Sequence, residues 1–118
     1  MNKQALRSLA DYCENYEDFC FNSVNKCCVP LALTLFNLSL SLQEEVDWNT
    51  WDEAIGIVAQ HLQITPEQAE NLFNPFDKFP MDTGFEDHLT DENAIEALRH
   101  FADYDGENMW KIIYDEEC

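Results

Sequence analysis

The sequence predicts a mainly α protein, a compact single-domain bundle of about five helices over residues 1–118. Three observations predict it. Apolar residues recur at steps of three and four in several stretches, which places them on one face of a helix. Helix-start chemistry appears at Thr65-Pro66-x-Gln68 and again at Thr90. Finally, 118 residues with 46% hydrophobic content suffice for one core, since a chain near this size buries roughly two-thirds of its unfolded surface.

Lys3–Cys20 is the first predicted helix. Leu6, Leu9, Cys13, Tyr16 and Cys20 share its inward face, and Asp11, Glu14 and Asp18 fall opposite. Asn22–Lys26 reads as a loop. The next stretch, CCVPLALTLFNLSLSL, supports two patterns. Its leucines alternate as in a strand, but Leu31, Leu35, Leu38 and Leu42 also form a helical stripe. Pro30 in a first turn and the helix propensity of leucine favour a helix over Val29–Leu42. Gln43–Asp47 is an acidic connector.

Trp48–Phe73 holds two helices with a short hinge. Trp48, Trp51, Ile55, Val58 and Leu62 make the stripe of the first, and Thr50 and Glu53 have capping-box spacing at its start. In the second, Thr65 caps, Pro66 takes the first helical position, and Gln68 reaches back to the cap. Ile64 and Ala69 have the spacing of a hydrophobic staple. Asn74–Gly84 is a loop in which Phe76 and Phe79, with Phe73 before it, plug the core. A last long helix starts at Thr90, with Ala94, Ile95, Leu98, Phe101 and Ala102 inward. Glu92, Glu96, Arg99 and Asp103 lie outward, Arg99 within reach of Glu96, and Gly106 is the expected C′ terminator. In the tail, Met109, Trp110, Ile112 and Ile113 form a last helical turn or a short C-terminal strand. They either dock on the core or make a self-association surface, as in a homodimer.

Charge is the outlying property. There are 24 Asp and Glu against 6 Lys and Arg, a net charge of −18. Such an excess disfavours direct contact with nucleic acid and with anionic membrane surfaces. It favours basic partners, including the grooves in which other proteins hold nucleic acid. The first ten residues lack an apolar targeting segment, and the longest apolar run is too short and polar to span a bilayer. With an odd count of five cysteines, this predicts a cytoplasmic protein with buried thiols.

The chain carries little that points to chemistry. Cys13, Cys20 and Cys27 recur every seven residues, without the C-x₂₋₄-C spacing of a zinc site. An EF-hand register on Gly106 would put Phe101 and Ile112 at ligand positions, where neither can serve. Asp82, Glu86, Asp87, His88 and Asp91 form an acidic cluster with no calcium-loop spacing. No G-x-S-x-G elbow, phosphate-binding loop or H-E-x-x-H is present. The expectation is therefore a non-enzymatic protein with no catalytic residues, metal or cofactor.

From Asn22 to Phe101 the order of features resembles small helical bacterial and phage proteins. The shared parts are a cysteine-bearing apolar helix (CCVPLALTLF), a helix of the form L-x-[IL]-T-x-x-Q-A-x-x-LF (LQITPEQAENLF), a Pro/aromatic loop, and TDENAIEAL. The resemblance implies a helical fold. In size and acidity the chain also resembles phage-encoded anti-restriction and anti-CRISPR proteins that mimic DNA. That likeness implies an inhibitor occupying the basic nucleic-acid site of a defence nuclease or effector complex. The expected partner-binding residues are Asp11, Glu14 and Asp18 on the first helix and Glu92, Glu96 and Asp103 on the last, extended by Glu44–Glu45, Asp52–Glu53 and Glu86–Asp87. The alternative is an apolar interaction module, an immunity-type inhibitor or a homo-oligomeric adaptor, using the Met109–Ile113 surface.

Overall fold

The computed structural model describes residues 1–21, 26–44, 46–47, 49–73, 90–107 and 110. Among them the order is α1 (Lys3–Asn15), α2 (Cys28–Leu35), α3 (Leu40–Glu44), α4 (Trp51–Leu62), α5 (Pro66–Phe73) and α6 (Asp91–Asp103), with no strand. The mainly α single-domain expectation holds.

Asn2 starts α1. Its side chain accepts the Ala5 amide at 3.1 Å, and its own N–H donates to the Leu62 carbonyl at 2.8 Å, tying this start to the end of α4. Leu6, Leu9 and Cys13 are buried as expected. The helix, however, ends at Asn15 and not at Cys20. Tyr16 turns extended, Asn15 returns its side-chain amide to the Asp11 carbonyl, and Tyr16 is 38% exposed. The physical reason lies in Glu14, Glu17 and Asp18. Three carboxylates at the negative end of a helix dipole oppose its continuation.

The apolar segment is helical, but it is two helices. Asn37 and Ser39 take positive φ, 53° and 45°. The Leu38 N–H reaches back to the Leu33 carbonyl at 2.9 Å and the Asn37 N–H to Thr34 at 3.3 Å, a Schellman closure with Asn37 in the left-handed position. Gln63 (φ 57°) closes α4 the same way, with Ile64 N–H on the Ala59 carbonyl at 3.1 Å. At the end of α6 the left-handed position is Asp105, and Gly106, the expected terminator, follows it with its N–H on the Phe101 carbonyl.

Two of the three expected caps form as read. Thr65 Oγ1 accepts from the Gln68 amide at 3.0 Å and Gln68 Oε1 from the Thr65 amide at 2.9 Å, a complete capping box. Thr90 accepts the Asn93 amide at 3.1 Å. The Thr50–Glu53 box does not form. Thr50 Oγ1 instead accepts the Asp47 amide, while the Asp47 carboxylate takes the Asn49 and Thr50 amides in an Asx-type turn.

α1 packs on α6, α2 and α4, α2 on α4, and α5 on α4 and α6. No polar or charged residue is buried among the described residues. Trp110 belongs to this core: it is fully buried, stacks on Phe21 at 5.3 Å, and donates its indole N–H to the Leu72 carbonyl at 3.0 Å. It therefore does not lie on a self-association surface. Met109, Ile112 and Ile113 and the question of a terminal strand lie outside the described residues, as do Trp48, Phe76, Phe79 and the Asp82–His88 cluster.

Truncating Trp110 to Ala should cost about 3–5 kcal/mol, whereas Trp110→Phe keeps a ring in the stack but strands the Leu72 carbonyl, for about 1–3 kcal/mol. Urea unfolding of both variants separates the two contributions. Gly56 sits mid-helix in α4, and a Cβ there meets nothing within 4 Å. Gly56→Ala should accordingly stabilise by about 0.5–1 kcal/mol in the same assay.

Candidate functional site

The expected acidic residues come from the two helices that pack most extensively on each other. α1 and α6 run antiparallel, so the C-terminal half of one meets the N-terminal half of the other. Three cations cross their seam. Lys3 binds Asp105, Arg7 binds Asp103 at 3.1 Å, and Arg99 binds Asp11 at 2.9 Å and Glu14 as well. The neighbouring carboxylates, Asp11 first and then Glu14, raise the Arg99 pKa further above its ordinary range. Lys3 holds the Asp105 carboxyl below its ordinary value.

Arg99 thus pairs across the seam, not with Glu96 on its own helix. Within one helix the i, i+3 partner offers a single exposed contact, while the facing helix offers two carboxylates one turn apart. The same pairing changes the meaning of the site. Asp11, Glu14 and Asp103 are engaged by this chain's own arginines. Glu92, Glu96 and Asp18 form no ion pair among the described residues.

The fold brings five of the six expected residues together. Glu14, Glu92, Ile95, Glu96 and Arg99 line a groove of about 310 Å³. A second groove of about 230 Å³ continues past Glu96 and Arg99 to His100, Asp103 and Tyr104. The His100 ring lies 4.3 Å from that of Tyr104, and its Nε2 makes no hydrogen bond among the described residues. Asp18 stands apart in the turn after α1 and lines neither groove. Asp52 and Glu53 are exposed in the first turn of α4, where the helix dipole favours them, and Glu44 is exposed at the end of α3. Glu45 and Glu86–Asp87 lie outside the described residues.

The cationic side of the seam went unread in the sequence. Its signal was there: three of only six basic residues fall on the polar faces of two acidic helices.

Four of the five cysteines lie among the described residues: Cys13, Cys27 and Cys28 are buried and Cys20 is half-buried, with no disulfide among them. Burial pushes the Cys27 thiol up to about 12. A hydrogen bond with Cys13, then burial, raises Cys28 well above the ordinary thiol value. Among the described residues no group of three or more His, Cys, Asp or Glu side chains could hold a metal ion. No helix among them is long and apolar enough to cross a membrane.

No known protein family matches the chain, and neither a curated protein nor a solved structure matches it.

The raised thiols set a pH dependence. In the unfolded chain a cysteine loses its proton near about 8.5. In the folded chain Cys27 keeps it to about 12. Between those values the folded state holds the extra proton, so the contribution to stability is full below the unfolded pKa and falls as pH rises. The loss approaches about 1.4 kcal/mol per pH unit for each such thiol. Urea midpoints should decline from pH 8 to pH 11, and a Cys27→Ala, Cys28→Ala variant should show a shallower decline over the same range.

Proposed function

We propose that the protein is a non-enzymatic acidic binder that occupies the basic nucleic-acid site of another protein. A defence nuclease or a CRISPR effector is the kind of partner we have in mind, in the cytoplasm of the cell. One observation carries the reading: acids far outnumber bases in the chain, and no charged side chain is buried among the described residues. Setting aside the four acids and three bases of the α1–α6 seam leaves twenty carboxylates against Lys26, Lys78 and Lys111.

The density of that charge supports the comparison with nucleic acid. A net −18 along a principal axis of 41 Å is one charge per roughly 2.3 Å, against roughly 1.7 Å for duplex DNA. On α6, Glu92 and Glu96 stand one turn apart, about 5–6 Å, on the rim of the 310 Å³ groove. With Asp18 they are the expected contacts that remain free of the seam's cations. The burial of Trp110 removes the central residue of the rival apolar surface.

The test is affinity capture on the immobilised protein from a nuclease-treated lysate. A basic nucleic-acid-binding protein should be retained, released at about 1 M salt where the screening length falls to about 3 Å, and displaced by added DNA or RNA. Glu92→Lys with Glu96→Lys should weaken retention at least tenfold and lower the unfolding free energy by no more than about 1 kcal/mol, the cost of exchanging an acid for a base in the first turn of α6. Retention that resists salt and ignores nucleic acid would sink the reading.

A further inference from the structure

A third groove, of about 410 Å³, lies away from Glu92 and Glu96, at the C-terminal end of α1. Ser8, Asp11, Tyr12, Asn15 and Tyr16 line one side, and Leu35, the last residue of α2, closes the other. Three independent features of this groove favour a flat cation. The Tyr12 and Tyr16 rings stack 6.0 Å apart with 24° between their planes, which presents aromatic faces at a partly exposed site. The last turns of α1 and α2 carry no basic residue of their own, and Arg99, which reaches the end of α1 from α6, is already engaged by Asp11 and Glu14. Asp11 Oδ1 accepts from Arg99, yet its side chain is still 70% exposed on the groove's edge.

We infer that this groove seats an arginine side chain of the basic partner, its guanidinium over the Tyr16 ring and its charge facing Asp11 and the end of α1. The inference rests on the acidic-binder reading and adds a preference that charge alone does not give. An ammonium and a guanidinium carry the same charge. The guanidinium is planar and less strongly hydrated, so it gains more from an aromatic face. A surface that works by charge alone treats arginine and lysine nearly alike, whereas this groove discriminates between them.

The probes are a nona-arginine and a nona-lysine peptide, each titrated into the intact chain and followed by fluorescence anisotropy at moderate salt. Nona-arginine should bind more tightly by about two- to five-fold, the range for one exposed cation–π contact. Tyr16→Ala should bring that ratio close to one, and Tyr16→Phe, which keeps the ring, should restore it. Tyr16 lies beyond the end of α1 and is 38% exposed, so neither change disturbs the core. Glu92→Lys with Glu96→Lys should weaken both peptides together and leave the ratio intact. Equal binding of the two peptides, or a ratio that survives Tyr16→Ala, overturns the groove while the acidic reading stands. Binding of neither peptide overturns both.

Discussion

The apposition of α1 and α6 in a chain of net charge −18 is the constraint on which the rest depends. Their apolar faces must meet: Leu6, Leu9 and Cys13 on one, and Leu98, Phe101 and Ala102 on the other, are buried together in the core. Each fully buried Leu or Phe contributes about 1.5–3 kcal/mol, so apolar burial drives the packing. Yet the polar edges brought along by that packing are both acidic, and like charges one turn apart repel. The chain places Lys3, Arg7 and Arg99 where those edges come together. Exposed pairs of this kind add at most about 1 kcal/mol each. They also suit the observed register, in which each of the three bases stands opposite an acid of the facing segment.

The other helices attach to that pair at defined points. Asn2 holds the start of α1 to the end of α4, Asp91 at the start of α6 accepts the Phe21 amide at 2.8 Å, and Trp110 ties Phe21 to the Leu72 carbonyl. Each is a polar group satisfied at the margin of an apolar contact, which fixes geometry where apolar burial alone permits sliding. The thiols follow the same logic from the apolar side. Cys13 on α1 and Cys28 on α2 fill the interface between those helices as small hydrophobes, and the environment that buries them keeps them protonated.

What was legible in the sequence was local and chemical. The Thr65–Gln68 box, the Thr90 cap and the stripes of α4 and α6 follow from neighbours within a few residues, so one chain segment contains the whole cause. What was not legible depended on choices between near-equal local options or on distant partners. Thr50 had a box partner in Glu53 and a turn partner in Asp47, and the turn won. Asn37 sits in a run whose leucines permit one helix or two, and its tolerance for the left-handed region, together with the Schellman bonds, divides the run. Arg99 had Glu96 on its own helix, but its partners lie 85 and 88 residues away. Of the candidate site, the residues on α1 and α6 were legible as polar faces. That Asp11, Glu14 and Asp103 are paired across the seam, while Glu92, Glu96 and Asp18 form no ion pair among the described residues, is a fact of the tertiary pairing.

This division bears on how an acidic protein can both fold and bind through charge. Every charge is kept out of the described core, so the repulsion among the excess carboxylates acts through water and is reduced by salt. Salt weakens the seam pairs too, but those are four contacts set against a net charge of −18. Added salt therefore relieves repulsion in the folded chain on balance, while it would remove the attraction to the basic partner we propose. The two responses have opposite signs. If the proposed complex dissociates as salt is raised, it is then losing its interface and not its folded acidic component, because the core and the seam carry the fold without the remaining surface charge.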